Sequence, residues 1–139
     1  HAKGSPKTMQ NSPTYQNVVE EVRAFFDSKK DDLIQRQLPR IWIDPGIGFG
    51  KTLEHNLEIM RNLSKFKEEE WGLFLGSSRK SWIDQLCNAP TPSDRLGGSI
   101  ASALASILHG VEIIRVHDVQ ETTQAISVAK ELALFKSMP

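Results

Sequence analysis

A single cysteine, Cys87, occurs among the 139 residues, so the chain can close no internal disulfide, which fits a reducing compartment. Charge of one sign is also lacking: 17 Lys and Arg balance 17 Asp and Glu, for a formal net charge of zero. Without a basic excess there is no electrostatic footprint for nucleic acid or an anionic membrane surface. Long apolar runs are missing too. Stretches such as Leu73-Phe74-Leu75 and Ile113-Ile114 fall far short of the roughly 20 apolar residues of a membrane span. The amino terminus has no charged region leading into an apolar stretch, so no signal peptide is expected. These absences describe a soluble, cytoplasmic globular chain of one domain's length and leave its activity open.

What is present is regular patterning. Residues 1–14 read as loop, with Gly4, Pro6 and Pro13 and no apolar periodicity. After Tyr15, Val18, Val19, Val22, Phe25 and Phe26 recur at helical spacing, forming one face of a helix. A βα unit then repeats three times. A strand over residues 40–44 leads into the loop DPGIGFGKT, after which Thr52 can cap a helix with Leu53, Leu57, Met60 and Leu63 on its apolar face. A strand over 72–76 leads into SSRKS and, past Cys87, a polar, proline-rich stretch. A helix carrying Leu96, Ile100, Ala103, Leu104 and Ile107 follows, ended by Gly110. A strand over 111–116 leads to the last helix. Asp118 and Glu121 form a capping-box pattern there, with Val119, Thr122, Ile126, Ala129 and Ala133 inward. Strands alternating with helices predict a parallel sheet with helices outside, and near-continuous apolar strands predict that both sheet faces are buried. Three strands leave two open edges, so the pattern reads as part of a larger (β/α)8 barrel or doubly wound sheet. A complete three-strand α/β domain is the alternative.

In either architecture, chemistry belongs on the loops after the strand carboxyl ends. Asp44 ends the first strand, before Pro45. A carboxylate accepts hydrogen bonds and matches a planar pair of N–H donors; its bland alternative is to cap a turn or pair with a lysine. Gly46, Gly48 and Gly50 permit close approach of backbone to a ligand, and Phe49 among them either covers a flat substrate or plugs the core. GFGKT imitates a nucleotide phosphate loop, but Pro45 stands where that motif requires glycine and Gly46 comes one residue late. Arg79 and Lys80 place two cations beside the Ser81 hydroxyl, suited to an anion or a polarised carbonyl, or else a solvated basic turn. Arg115 and His117, two apart on the third strand, share one side. A charge within an apolar strand needs a partner: a ligand phosphate, or Glu112 or Asp118.

DPGIGFGKTLEHN, GSSRKS and RVHDV together resemble dihydropteroate synthase in order and spacing. RLGGSIASALAS and HAKGSPKTMQ are similar to that family's stretch between its last two strands and to the loop after its fifth strand. The resemblance spans essentially the whole chain. It implies a (β/α)8 TIM barrel, of which residues 1–139 are a partial pterin-binding domain with the N-terminal half absent. The implied reaction condenses p-aminobenzoate with 6-hydroxymethyl-7,8-dihydropterin pyrophosphate, giving 7,8-dihydropteroate and pyrophosphate. By resemblance, Asp44 binds the pterin amino edge, Lys80 the pterin carbonyl and ring, and Gly76 lies under the pterin. Arg115 stacks on the pterin and reaches the pyrophosphate, with His117 in the same anion site. Phe49 and Ser81 border the p-aminobenzoate subsite, and Gly48 lines the substrate. Lys80, Arg115 and His117 are the implied catalytic residues. Mg2+ serves the leaving group through a family ligand outside these residues, so no metal ligand is expected here. The full-length family member is expected to be a homodimer, and this chain alone to hold the pterin half-site without useful turnover. Two alternatives stay open: a pterin-binding methyltransferase on the same barrel, or a non-catalytic half-barrel module needing a partner chain.

Overall fold

The computed structural model describes residues 13–38 and 40–135, so most of the amino-terminal loop lies outside the described residues. Helix α1 (Val18–Gln35) starts where Asn17 accepts a hydrogen bond from the Glu20 amide at 3.1 Å. Val18, Val19, Val22 and Phe26 face inward as their spacing predicts, but Phe25 is 39% exposed and rides the rim of that face.

The three βα units follow in the expected order. Strands β1 (Trp42–Ile43), β2 (Gly72–Leu75) and β3 (Ile113–Ile114) form a parallel sheet in the order β1-β2-β3. The outer strands are shorter than their apolar runs. β1 pairs with the first half of β2 (Gly72 and Leu73) and β3 with the second half (Phe74 and Leu75), with bonds such as Arg115 N–H to Leu75 C=O at 2.8 Å just beyond. Alternation along the strands puts Ile43, Leu73 and Leu75 on one face, packed in the core with Val22, Ile59, Leu63, Phe66 and Trp71. Trp42 and Ile113 point to the other face and are 39% and 38% exposed. Among the described residues helices cover one face, and the other is partly open.

Helix α2 (Leu53–Arg61) begins at Thr52, whose hydroxyl accepts from the His55 amide while His55 Nδ1 accepts from the Thr52 amide. Its buried side chains are Asn56 and Ile59; Leu53, Leu57 and Met60 are half-buried, and Leu63 is buried in a following 3-10 turn, Leu63–Phe66. A short helix, α3 (Ser81–Cys87), was not expected, and Cys87 is its last residue. Helix α4 (Leu96–Leu108) departs most from its pattern. Its fully buried residues are Ser99, Ser102, Ala103 and Ser106, while Leu96, Ile100, Leu104 and Ile107 are half-buried. Small side chains let α4 approach the loop after β2, where the Ser77 and Ser102 hydroxyls meet at 2.8 Å. Each buried serine also bonds a carbonyl three or four residues back, so no hydroxyl is orphaned. At its end the Gly110 and Val111 amides bond the Ile107 and Ser106 carbonyls, the expected glycine termination.

Helix α5 (Val119–Glu131) buries Thr122 and Ala129, but Val119 is exposed, and Asp118 makes no capping bond. No helix among the described residues is long and apolar enough to cross a membrane.

Adjacent glycines at the start of α4 test this packing. A Cβ at Gly98 would collide with the Ile83 Cγ2 methyl, whereas one at Gly97 meets nothing within 4 Å. Gly98→Ala is expected to destabilise the chain by about 1–3 kcal/mol through overpacking. Gly97→Ala should be neutral or stabilise by up to about 1 kcal/mol through helix propensity. Denaturant unfolding of the two variants side by side measures both.

Candidate active site

All three strands run parallel, so the loops that follow them gather at one end of the sheet. The loop after β1 is built from within. Asp44 Oδ1 accepts from the Gly46 amide at 2.8 Å, a local turn of the kind aspartate favours. Asn56, buried on α2, accepts from the Gly48 amide and donates to the Thr52 carbonyl, both at 2.7 Å. Lys51, also buried, sends its ammonium to the carbonyls of Gly46 at 3.0 Å and Phe49 at 3.2 Å. Phe49 is 40% exposed, which removes the core-plug alternative.

Lys80, on the loop after β2, crosses to this first loop. Its ammonium donates to the Ile47 carbonyl and lies 4.2 Å from the centre of the Phe49 ring. Gly48 makes the crossing possible: its φ is +79°, and a Cβ there would stand 2.7 Å from Lys80 Cδ. Burial lowers the Lys80 pKa to about 8; Asp44 opposes the shift and Arg115 adds to it. Lys51 is likewise lowered to about 8, by burial first, against Asp44 and with a contribution from Lys80.

The third loop brings Arg115 and His117. Arg115 is exposed just past β3, so the desolvation argument for a buried partner does not apply. Its guanidinium lies across Gly76, where a Cβ would come within 3.1 Å of Nε and Nη2. Neither acid suggested as its partner is available. Glu112 accepts from Arg40 at 2.6 Å and Trp42 Nε1 at 3.1 Å, and Asp118 is bonded by Arg79 through both carboxylate oxygens. Arg79 is thus a neutralised cation, not half of a free basic pair. His117 meets the Ser78 hydroxyl through its amide at 3.3 Å and through Nδ1 at 3.0 Å.

Gly76, Lys80, Arg115 and His117 therefore line one cleft of about 330 Å³, together with Ser78 and Arg79. Asp44, Gly48 and Phe49 adjoin it through Lys80. Ser81 is exposed at the first turn of α3 and does not line the cleft. Three cationic or protonatable groups converging on an open cleft suit a polyanion beside a flat ring system. Among the described residues no group of three His, Cys, Asp or Glu side chains could hold a metal ion. Sequence reasoning missed Asn56, Lys51 and the Ser78–His117 contact. Asn56 had a signal, since it stands three residues before Ile59 on the inward side of α2.

This cleft, at the carboxyl ends of parallel strands, lies within a match between residues 1–117 and the family described as pterin binding enzyme. The chain belongs to the pterin-binding enzyme family. It is 42% identical over 132 residues to a dihydropteroate synthase of Escherichia coli (strain K12), covering 94% of this chain and 46% of that protein. A Yersinia pestis dihydropteroate synthase in a sulfonamide drug complex superposes with a TM-score of 0.88 at 38% identity, over 96% of this chain and 49% of that one. A Thermus thermophilus dihydropteroate synthase in complex with 4-aminobenzoate gives a TM-score of 0.89 at 36% identity, over 96% and 55%. The expected barrel architecture holds in this form: three βα units superpose on about half of a pterin-binding TIM barrel. The chain spans about half the length of the curated relatives it matches.

Two measurements test the local construction. Asn56→Ala removes the part-buried bonds to the Gly48 amide and the Thr52 carbonyl, each worth roughly 0.5–1.5 kcal/mol, and should cost about 1–3 kcal/mol in denaturant unfolding. The lowered lysines give a pH dependence of definite sign. Between about 8, the Lys51 pKa in the folded chain, and its ordinary 10.5, the unfolded chain binds more protons, so this group makes stability rise with pH across that window. Below about 8 the burden is full and constant. Lys51→Met should flatten the rise in unfolding free energy measured through the window; a rise unchanged by the substitution would exclude this origin.

Proposed function

We propose that this sequence belongs to a dihydropteroate synthase and contributes its half-site for the pterin and the leaving pyrophosphate. The observation that carries the reading is the convergence of Lys80, Arg115 and His117 on one cleft, while Glu112 and Asp118 are engaged elsewhere. The names of the relatives, and the 4-aminobenzoate in the Thermus protein, support the same activity.

In this reading Asp44 accepts the amino edge of the pterin, and Lys80 meets its carbonyl and ring near Phe49. Arg115 and His117 hold the pyrophosphate. The methylene carbon–oxygen bond breaks, its electron pair leaves with the pyrophosphate, and the p-aminobenzoate nitrogen forms the new bond to the methylene and loses a proton. Cations at the departing oxygens stabilise charge where it grows, the largest lever available to a site with no covalent nucleophile. Gly76 and Gly48 supply close backbone walls, and Phe49 and Ser81 the border of the p-aminobenzoate subsite. Magnesium enters the proposal as a partner of the pyrophosphate. The described side chains offer no cluster to hold it, so its protein ligands are not assigned to them and no step is routed through it. A cytoplasmic setting and a homodimer belong to the same proposal; exposed Leu108 on α4, Val128 on α5 and Leu132 just after it favour self-association. A methyltransferase on this barrel has no use for a pyrophosphate clamp, which leaves Arg115 and His117 without a task.

The test is calorimetric titration of this chain with a pterin pyrophosphate analogue and magnesium, alongside Asp44→Asn and Arg115→Ala. The chain should bind, and each substitution should weaken binding at least tenfold, about 1.4 kcal/mol. Binding indifferent to both substitutions would reject the residue assignments. No steady synthesis of dihydropteroate is expected from this polypeptide alone, because it spans about half of its relatives.

A further inference from the structure

We propose that Arg79 is a positioning residue: through Asp118 it fastens the loop after β2 to the loop after β3 and so sets Lys80 opposite Arg115 and His117. The inference rests on the reading of the cleft as a pterin pyrophosphate site. Arg79 has φ +57°, the left-handed region that a residue with a Cβ rarely adopts. Such a conformation persists only where the surroundings over-determine it, and here they do. The Arg79 amide donates to Ser99 Oγ at 2.9 Å, and its carbonyl accepts from Arg95 Nη1 at 2.9 Å. Its guanidinium holds Asp118 as a fork, Nε to Oδ2 at 3.0 Å and Nη2 to Oδ1. Both backbone partners are themselves fixed. Ser99 and Arg95 are buried, and Arg95 also donates to the Ala89 and Pro90 carbonyls at 2.8 and 2.6 Å.

The reversal at Arg79 sends its two neighbours opposite ways. Ser78 turns to the loop after β3 and meets His117, while Lys80 turns to the loop after β1 and meets the Ile47 carbonyl. Arg79 is adjacent to Lys80, and Asp118 is adjacent to His117. Two contacts, Ser78 to His117 and Arg79 to Asp118, therefore lock consecutive residues of one loop to consecutive residues of the other. The fate of Asp118 points the same way. The stability of α5 alone would be served by an Asp118 cap, yet its carboxylate makes none and goes to Arg79.

Isotope-labelled lysine followed by NMR reads the position of Lys80 with no ligand present. Burial lowers its titration, Asp44 opposes that shift and Arg115 adds to it. Arg79→Gly removes a positive charge beside Lys80 and Asp118→Asn removes a negative one. Direct charge effects would therefore move the Lys80 titration in opposite directions, so a shift in the same direction in both variants reports a displaced Lys80. Arg79→Gly keeps the left-handed backbone accessible and removes the guanidinium, and Asp118→Asn preserves side-chain shape. In both variants the Lys80 titration should move from about 8 toward 10.5, while the circular dichroism stays in place and the Lys51 titration, set first by burial, rises much less, losing only the Lys80 contribution. Inorganic pyrophosphate, the calorimetric probe, should bind at least tenfold more weakly. The double variant should go no further than either single one, as expected for two ends of one interaction. A Lys80 titration unmoved in both single variants overturns the positioning role. If Lys80 moves as stated but the unsubstituted chain takes up no pyrophosphate, the positioning stands and the pterin pyrophosphate reading falls.

Discussion

The crossing of Lys80 from the second loop to the first is the contact on which the rest of the site depends. Its alkyl chain lies where any side chain at position 48 would lie, and its ammonium bonds the Ile47 carbonyl above the Phe49 ring. For that carbonyl to be presented, the loop backbone must be held from behind. Asn56 does so from α2 and Lys51 from below, each with two bonds to loop backbone or its exit. The two lysines bracket the loop, and burial lowers the pKa of both. Asp44 between them opposes that shift, so the three groups form one electrostatic unit.

Charge at the cleft is decided by which acids are already engaged. Opposite charges balance over the whole chain, so a cationic cleft requires that the nearby carboxylates be held elsewhere. Glu112 is drawn by Arg40 and Trp42 toward the other end of the strands, and Asp118 by Arg79. Arg79 holds the Asp118 carboxyl below the usual carboxylate range. Lys80, Arg115 and His117 are left facing the same space. An anion entering it meets groups that form no ion pair with Glu112 or Asp118.

The scaffold supplies the geometry through tight packing. Serines along α4 let that helix approach the loop after β2, and the same serines reach functional backbone: Ser99 bonds the Arg79 amide and Ser102 the Ser77 hydroxyl. The helix that stabilises the fold also shapes the turn that aims Lys80. On the far side of the sheet, Trp42 and Ile113 remain partly exposed, so the helices define one face of the structure and the strand ends define its chemistry.

The sequence by itself determined the order of elements, the parallel topology, the Thr52 cap, the glycine at the end of α4, and the three loops that carry the site. These follow from signals within a few residues of one another: apolar periodicity, turn formers, and charge at the end of an apolar run. It did not determine which side of α4 faces inward, because periodicity ranks leucine and isoleucine above serine, whereas close approach to a loop rewards small residues. Nor did it show helix α3, the exposed side of Arg115, or the diversion of Asp118 from capping. Arg79 and Asp118 stand 39 residues apart, and Lys80 and Ile47 stand 33 apart. Pairings over such separations are set by how the βα units stack, so only the tertiary structure could decide which cations are neutralised and which remain to meet a substrate.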